Sequence, residues 1–426
     1  MHQLYSVKAV CLSSGERLPL LIDRATGLPH GQVADYILAT FRGDSINTSK
    51  RSVSAVGMFH SWAKHREIDL DRRFGSGDLF TSDETTALSE ALWEKRFAEL
   101  APSKRYLLEF TESVVGATHG HRSDQVIAYI KWRTSQIVSS MSVHDIRVGN
   151  INRRLELVVE QLKSNKGKST SIPRGQLDPN QCLRLFEILR PGSPDNPFHE
   201  ETQLRNFFIV LLYYELGVRK AEPLAIKGVH LKFGPRPLIT ITFTPNDPKD
   251  PRRDQPRVKT VSRTLPMSPL LATTTDRLLK QRSTSEKIKA EAKRWPFVVL
   301  DIDKGRPLSL DAVYDIFVVL RRRFPNDFPP NFAAHHLRRS WNHRFSQACK
   351  EARIDAKMED HIRRYIMGWS KTSTQPANYN RKEIEEQAFR LLLSMQDNHP
   401  IAYSATFWLN ERPISGTRAP LGNGRH

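Results

Sequence analysis

The chain carries side chains that could bind an oxyanion and attack it, grouped in three short segments. Arg219 and Glu222 stand three positions apart in the first segment, His335 and Arg338 in the second, and Tyr379 lies in the third. A guanidinium group offers paired hydrogen bonds to an oxyanion, an imidazole transfers protons, and an activated phenol is a nucleophile. Each segment taken singly also fits an ordinary solvated surface, so only the combination points to chemistry.

The first segment follows an apolar stretch that reads as a helix. Gly217 is expected to end that helix, which leaves Arg219 on a short turn where Glu222, three residues on, would hold it. An arginine just after a helix is more often a solvated partner of the helix dipole, so this segment alone predicts little.

The second segment is expected to lie on a helix, because apolar residues recur at helical spacing over 337–345. At about 100° per residue, His335 and Arg338 then share a flank away from the buried stripe. That flank suits the binding of an oxyanion, although a solvated basic face is the ordinary alternative. A metal site through His336 and His343 is less attractive, since no third ligand accompanies them.

Together the segments resemble the motifs of the tyrosine recombinase (phage integrase) family. The family's first motif is similar to Gly-Leu-Arg-x-x-Glu-Leu-x-x-Leu, which residues 217–226 match without a gap, with Pro223 in place of an apolar residue. The second motif, His-x-Leu-Arg, is met by His335, Leu337 and Arg338.

The third segment resembles the region of the family's nucleophile. The position after Leu-Gly in the family is usually His and sometimes Trp, and here it is Trp369. The nucleophilic tyrosine usually follows nine residues later, whereas Tyr379 follows ten residues later, so one inserted residue is required. No other tyrosine lies between Trp369 and Ala402, which makes Tyr379 the assigned nucleophile.

The resemblance also implies a catalytic lysine on a β-hairpin between the first two motifs. Lys259 is assigned this role, because the stretch at 265–267 is similar to the apolar-Pro-apolar end of the family's second strand. Lys249, within the Pro-rich stretch 245–256, is the alternative.

The chemistry implied by the family is transesterification of DNA without metal, cofactor or ATP. The tyrosine attacks phosphorus and forms a 3′-phosphotyrosyl bond, while two arginines contact the non-bridging oxygens. The lysine protonates the leaving 5′-oxygen, the histidine assists proton transfer, and the tryptophan, with one N–H donor, supports the phosphate but cannot carry a proton. The implied catalytic residues are Arg219, Lys259, His335, Arg338, Trp369 and Tyr379, with Glu222 in support.

The expected fold is mostly helical. An N-terminal helical core-binding domain is expected to precede a C-terminal mixed α/β catalytic domain, which is mainly helical with a small antiparallel sheet. The expected boundaries are 1–163 for the core-binding domain, 164–175 for a basic linker, 176–398 for the catalytic domain and 399–426 for a tail.

Four local features complete the expected organisation. A short strand pair is predicted over 5–12 and 18–22, and a helix capped at Asn47 or Thr48 is predicted to follow, with its apolar stripe facing a core. The linker is either a solvated connector or a basic segment on a DNA backbone, through Lys166, Lys168 and Arg174. The apolar stripe of the last predicted helix packs either in its own protomer or on a neighbour; it comprises Ile384, Ala388, Leu391 and Met395.

The composition limits the partner and the compartment. The 426 residues include 65 Lys and Arg against 46 Asp and Glu, a formal net charge of +19, which favours a nucleic acid first and an anionic membrane surface second. The longest apolar run, 207–214, is far shorter than the ~20 residues of a membrane-spanning helix. Without an evident secretory signal, and with three widely spaced cysteines, the chain is expected in the cytoplasm, associated with the nucleoid.

The expected function is therefore site-specific recombination or integration of DNA, as in mobile genetic elements. As in the family, the chain is expected to act on two DNA duplexes as a homotetramer. Two alternatives stay open: a type IB topoisomerase, which shares the nucleophile and arginines but relaxes DNA as a monomer, and a DNA-binding protein without catalysis.

Overall fold

The computed structural model groups the chain into two compact units. The first comprises Met1–Pro173 together with Asn246–Gln255, and the second comprises Arg174–Pro245 and Pro256–His426. The short stretch 246–255, which the predicted boundaries assign to the catalytic domain, thus belongs to the first unit. The structure describes residues 3–94, 114–142, 144–168, 175–256, 258, 260–284, 294–369 and 381–397.

The first unit opens with the predicted strand pair, which is confirmed as an antiparallel hairpin of β1 (Tyr5–Cys11) and β2 (Arg17–Asp23). Gly15 lies in its turn with φ of +84°, a conformation that favours glycine. The helices that follow are α1 (Gly31–Thr40), α2 (Ile46–His65), α3 (Leu70–Ser76), α4 (Ser82–Trp93), α5 (Gly116–Ser139) and α6 (Arg147–Ser164).

Helix α2 presents the predicted apolar stripe to the core of the first unit, where Val53 and Phe59 are fully buried. The predicted cap at Asn47 or Thr48 is wrong. Ser45 is the N-cap, because its hydroxyl accepts the Thr48 N–H at 3.4 Å.

Helix α5 was not predicted, because several of its core positions are polar. His119, Arg122 and Ser123 are all buried on its inner face and interrupt the apolar period. Arg122 donates to the carbonyl oxygens of Leu92 and Glu94, at 2.8 and 2.7 Å, which satisfies its guanidinium inside the unit.

The described part of the second unit combines helices with two small antiparallel sheets, so the predicted class, mainly helical with a small antiparallel sheet, is confirmed. One sheet has the order β3-β4-β5, with Leu238 opposite Pro266 and Ile241 opposite Arg263. The strands are β3 (Leu231–Lys232), β4 (Leu238–Ile241), β5 (Arg263–Pro266), β6 (Leu300–Asp301) and β7 (Arg306–Pro307). The helices are α7 (Pro179–Leu189), α8 (Glu200–Leu216), α9 (Glu222–Ala225), α10 (Pro269–Thr284), α11 (Leu310–Arg323), α12 (Ala334–Glu351), α13 (Ala356–Met367) and α14 (Arg381–Asp397).

Helix α8 forms the centre of this unit, because it is buried on every side over 206–216. The last described helix, α14, packs on α8, α12, α13 and β5 of its own chain. Ala388 and Leu392 are fully buried in that core, and Gln396 donates to the Pro266 carbonyl oxygen at 3.3 Å. Of the two arrangements predicted for α14, the structure has the one within the protomer. Among the described residues, none of the helices combines the length and the apolar character that crossing a bilayer requires.

Packing of α14 on its own unit predicts a sharp difference between two adjacent leucines. Leu392→Ala should lower the free energy of unfolding of the second unit by about 2–5 kcal/mol, because the side chain is fully buried. Leu393→Ala, whose side chain is 42% exposed, should change it by less than about 0.5 kcal/mol. Denaturant-dependent hydrogen exchange of the α8 amides measures the second unit alone. Equal effects of the two variants would contradict the packing.

Candidate active site

The first motif begins where α8 ends against α12. Gly217 terminates α8 with φ of +57°, and a Cβ there would lie 2.6 Å from the Trp341 ring. The Trp341 indole N–H donates to the Glu215 carbonyl oxygen at 3.0 Å, and the Arg338 guanidinium donates to the carbonyl oxygen of Gly217. The motif glycine is therefore required twice, for its backbone conformation and for the close approach of α12. The predicted helix end at Gly217 is confirmed.

Glu222 is the centre of the hydrogen-bond network behind these arginines. Its carboxylate is 1% exposed and accepts the Arg219 backbone N–H at 2.7 Å and the Thr260 hydroxyl at 2.5 Å. The Arg263 guanidinium adds two hydrogen bonds, at 2.9 and 3.1 Å, which makes a buried bidentate ion pair. The pKa of Glu222 is lowered: burial raises it, but the charge and hydrogen bonds of Arg263 outweigh the burial.

Glu222 holds the Arg219 turn as expected, but through the backbone rather than through the Arg219 side chain. The carboxylate binds the backbone N–H of Arg219 and takes its charge partner from β5. The half-buried Arg219 guanidinium has no hydrogen-bond acceptor among the described residues. It is therefore available to an anion, while Glu222 fixes only the turn that carries it.

Arg263 is the member of this network that sequence reasoning missed. Its Nε donates to the Ile366 carbonyl oxygen at the end of α13. Gly368, with φ of +61°, leaves no room for a Cβ, which would lie 2.8 Å from an Arg263 nitrogen and from Thr260. The turn before Trp369 is thus built on the ion pair. The sequence pattern that could have identified Arg263 is its position two residues before the apolar Leu265, because alternate residues of a strand point to the same face and Leu265 is buried.

The other predicted site residues differ in their exposure to solvent, and some of them lie outside the described residues. His335 is exposed on the first turn of α12, and Arg338, one turn later, is half-buried. Trp369 is 40% exposed and its backbone N–H donates to the Arg364 carbonyl oxygen at 3.0 Å. The structure brings together Arg219, Glu222 and Arg338, and the Arg263 turn carries Trp369. The predicted residues that lie outside the described ones are Tyr379, Lys259 and Arg174.

Three guanidinium groups share the one carboxylate of Glu222, which leaves an excess of positive charge. The pKa of Arg338 is lowered to about 10, mainly by burial. Glu222 raises it, while Arg219 and Arg263 lower it further. Burial also lowers the pKa of Arg219. Partly desolvated cations near one another favour an anion, because its charge would offset both their burial and their repulsion.

The two candidate lysines have different surroundings. Lys249 is exposed in the 246–255 stretch of the first unit, where its backbone N–H donates to the Asp247 carboxylate at 3.0 Å. Lys259 itself is outside the described residues, but its neighbours Val258 and Thr260 are each 1% exposed, and Thr260 bonds Glu222.

The basic segment after α6 also has contacts within the first unit. Lys166 forms an ion pair with Asp124 at 2.7 Å, and the Gly167 N–H donates to Nδ1 of His119 at 2.9 Å. Lys168 is exposed. In the part of the chain that the structure describes, no group of three or more His, Cys, Asp or Glu residues is arranged to hold a metal ion.

The buried ion pair predicts how stability depends on pH. Because the pKa of Glu222 is lowered in the folded state, its contribution is present above its ordinary value of 4.5 and is lost as pH falls through the folded value. Glu222→Gln should lower the free energy of unfolding at pH 7 by about 3–5 kcal/mol, since it leaves Arg263 buried without its partner. The difference from the original chain should shrink below about pH 4.5.

Denaturant titrations between pH 3 and pH 7 measure this dependence. Glu187→Gln is the matched control on α7, because its carboxylate is 52% exposed and should contribute less than about 0.5 kcal/mol. A difference between Glu222→Gln and the original chain that stays constant over this range would contradict the ionised state of Glu222.

Comparison with known proteins yields similar solved structures only. No family model and no curated protein matches the chain. The XerH site-specific recombinase bound to its palindromic difH substrate, in a post-cleavage complex, is 12% identical, with 81% of this chain and 79% of that one covered and a TM-score of 0.44. Lambda integrase residues 75–356 bound to DNA are 14% identical, and the match covers 83% of this chain and 95% of that one, with a TM-score of 0.41. The XerA recombinase is 14% identical, and the match covers 84% of this chain and 95% of that one, with a TM-score of 0.31.

Proposed function

We propose that the chain is a site-specific DNA recombinase of the tyrosine class, which cuts and rejoins DNA through a 3′-phosphotyrosyl intermediate. The observation that carries the proposal is the cluster of Arg219, Arg263 and Arg338 around the single carboxylate of Glu222. Arg263 is neutralised by its bidentate ion pair with Glu222, so the other two arginines supply the uncompensated charge.

The charge of this cluster fits a phosphodiester undergoing attack. The ground state carries one negative charge on its non-bridging oxygens, and the pentacoordinate transition state carries two. Arg219 and Arg338 would bind those oxygens, and their mutual repulsion in the free protein would be relieved most when the second charge develops. Glu222 acts behind them by holding the Arg219 turn.

Tyr379 is proposed as the nucleophile. Helix α14 begins at Arg381, two residues after Tyr379, and the helix is buried in the core of its own unit. A tyrosine attached to an arm that packs in the same protomer would attack the phosphate held by that protomer's arginines. His335 and Trp369 are proposed to assist, the first by proton transfer near the tyrosine and the second by contact with the phosphate.

Lys259 is proposed as the general acid for the leaving 5′-oxygen. Val258 and Thr260 are buried on either side of it, and Thr260 donates to Glu222. The chain immediately around Lys259 is therefore tied to the carboxylate that organises the arginines. Lys249, exposed and in the other unit, lacks this support.

The partner is proposed to be double-stranded DNA at a defined site, bound by a homotetramer in the cytoplasm. Lys166, Lys168 and Arg174 are proposed to contact the DNA backbone. The exposed ion pair of Lys166 with Asp124 does not oppose this role, because such pairs contribute only about 0–1 kcal/mol and can exchange for a phosphate contact.

The first experimental test is covalent capture of DNA. The purified chain is incubated with nicked fragments of the genome that encodes it, and fragments that stay attached to protein after denaturation are recovered and sequenced. A recombinase should enrich one short sequence. A monomeric topoisomerase would attach at many sites, and a non-catalytic DNA-binding protein would leave no attached fragment.

Tyr379→Phe should abolish the attached fragments while DNA affinity stays within about threefold, because the phenol oxygen forms the bond and one residue contributes little to a polyelectrolyte interface. Gel electrophoresis under denaturing conditions detects the adduct, and fluorescence anisotropy at fixed salt measures binding. An adduct in Tyr379→Phe would remove this residue from the mechanism.

A substrate with sulfur at the 5′-bridging position separates the general acid from the arginines, because a thiolate leaves without a proton. Lys259→Ala should be at least about 100-fold slower than the original chain on ordinary DNA and close to it on the sulfur substrate. Arg338→Ala should be about 10²–10³-fold slower on both, since it acts on the non-bridging oxygens. Single-turnover cleavage measures these rates. Sulfur rescue of Lys249→Ala, with Lys259→Ala unimpaired, would transfer the role to Lys249.

A further inference from the structure

The basic segment after α6, residues 166–168, is docked on the first turns of α5 within the first unit. The backbone N–H of Gly167 donates to Nδ1 of His119 at 2.9 Å. The Lys166 ammonium group lies 2.7 Å from the Asp124 carboxylate. The basic segment is therefore fixed to the first unit by a backbone group and by a side chain.

Two glycines make room for this contact. A Cβ at Gly167 would lie 2.7 Å from the Trp93 ring and 2.8 Å from the Cα of Gly116. A Cβ at Gly116 would overlap the carbonyl oxygen of Lys168. Carbon atoms in favourable contact are about 3.5–4.0 Å apart, so a side chain at either position would push the basic segment off α5.

His119 can anchor the basic segment in one protonation state only. Its Nε2 is 3.0 Å from the Ser89 carbonyl oxygen, which can only accept a hydrogen bond, so Nε2 carries the hydrogen. Nδ1 of the neutral ring is then an acceptor, as the Gly167 N–H requires. In the imidazolium form both ring nitrogens are donors. Protonation of His119 therefore abolishes its hydrogen bond with Gly167.

The surroundings of His119 keep its ring neutral at pH 7. The side chain is fully buried, which lowers its pKa; the Ser89 carbonyl raises this pKa, and the Arg122 guanidinium lowers it further. The other titratable and charged groups on the elements around it are the paired Lys166 and Asp124, Glu90 and Glu94 near the end of α4, and His121. His119 therefore takes up its proton below the ordinary pKa of 6.5.

We propose that His119 is a positioning residue for the basic segment: its neutral ring holds the segment on α5, and protonation releases it. The inference rests on the proposed function in taking Lys166 and Lys168 as contacts for a DNA backbone. Cations that are already held in place lose less conformational freedom on binding than cations on a free chain. Anchoring should therefore strengthen DNA binding by about three- to tenfold.

Hydrogen exchange of the full-length chain between pH 7.5 and pH 5 tests the anchoring directly. Protection of a peptide covering 165–168 is corrected for the intrinsic exchange rate at each pH. It should fall at least about fivefold in acid, because the Gly167 N–H loses its acceptor when His119 is protonated.

Two variants remove the anchor in different ways. His119→Phe keeps a ring for stacking on Trp93, whose ring centroid is 4.2 Å away, but it has no nitrogen. The basic segment should then be unprotected throughout this pH range. Gly116→Ala should give the same result with the imidazole intact, because the added Cβ overlaps the Lys168 carbonyl oxygen. Exchange of the α2 amides, in the core of the same unit, shows that the variants are folded.

His121→Phe is the matched control. His121 lies on the same helix, two residues after His119, and its pKa is also lowered, mainly by burial. Its Nε2 has no hydrogen-bond partner among the described residues. This variant should keep both the protection of the basic segment at pH 7.5 and the loss of that protection in acid.

DNA binding tests the consequence of the anchoring. At pH 7.5 and fixed salt, His119→Phe should bind the site recovered by covalent capture about three- to tenfold more weakly than the original chain. The same substitution should have no effect when Lys166→Gln and Lys168→Gln are also present, since the segment then has no cation to position. Fluorescence anisotropy measures these affinities.

Protection of the basic segment that stays constant from pH 7.5 to pH 5 in the original chain would overturn the inference. The same dependence on pH in His119→Phe, or its loss in His121→Phe, would also overturn it. Equal or tighter DNA binding by His119→Phe would reject the positioning role. These results leave the proposed function intact, because the covalent adduct of the original chain tests that function separately.

Discussion

The buried carboxylate of Glu222 is the constraint on which the second unit's site depends. A charge removed from water must be offset by donors, and here they come from the Arg219 turn, Thr260 and the β5 residue Arg263. Since Arg263 also bonds the end of α13, the same ion pair fixes the turn that leads to Trp369. One desolvated group thus brings together stretches that are far apart in the chain.

The parts that could be predicted from the sequence are those that depend on local patterns. The apolar period of α12 correctly indicated that Leu337 and Trp341 are buried, and a glycine after an apolar run correctly marked the end of α8. Arg263 could not be assigned in this way, because its partner Glu222 is 41 residues away and a strand arginine usually faces water. The register of β5 decides which way it points.

The contacts of Arg17, which is buried at the start of β2, could not be predicted from the sequence either, because its acceptors in the 246–255 loop lie 230–238 residues further along the chain. They are mostly backbone oxygens, which every residue has, so composition gives no sign of them. The polar residues inside α5 were missed for a related reason: His119 and Arg122 are buried because hydrogen bonds satisfy them, and they interrupt the apolar period of the helix. Sequence patterns reveal burial by hydrophobic contact far better than burial by hydrogen bonding.

The packing of α14 on its own chain has a consequence for mixtures of defective subunits. Ala388 and Leu392 anchor α14 in the core of its own protomer. If Tyr379 acts as proposed in the protomer that carries α14, each protomer would cut the DNA strand whose phosphate its own arginines bind. A variant without Arg338 and a variant without Tyr379 would then not restore cleavage when they are mixed in one assembly. An inactive subunit would prevent cleavage only of the DNA strand that it binds itself.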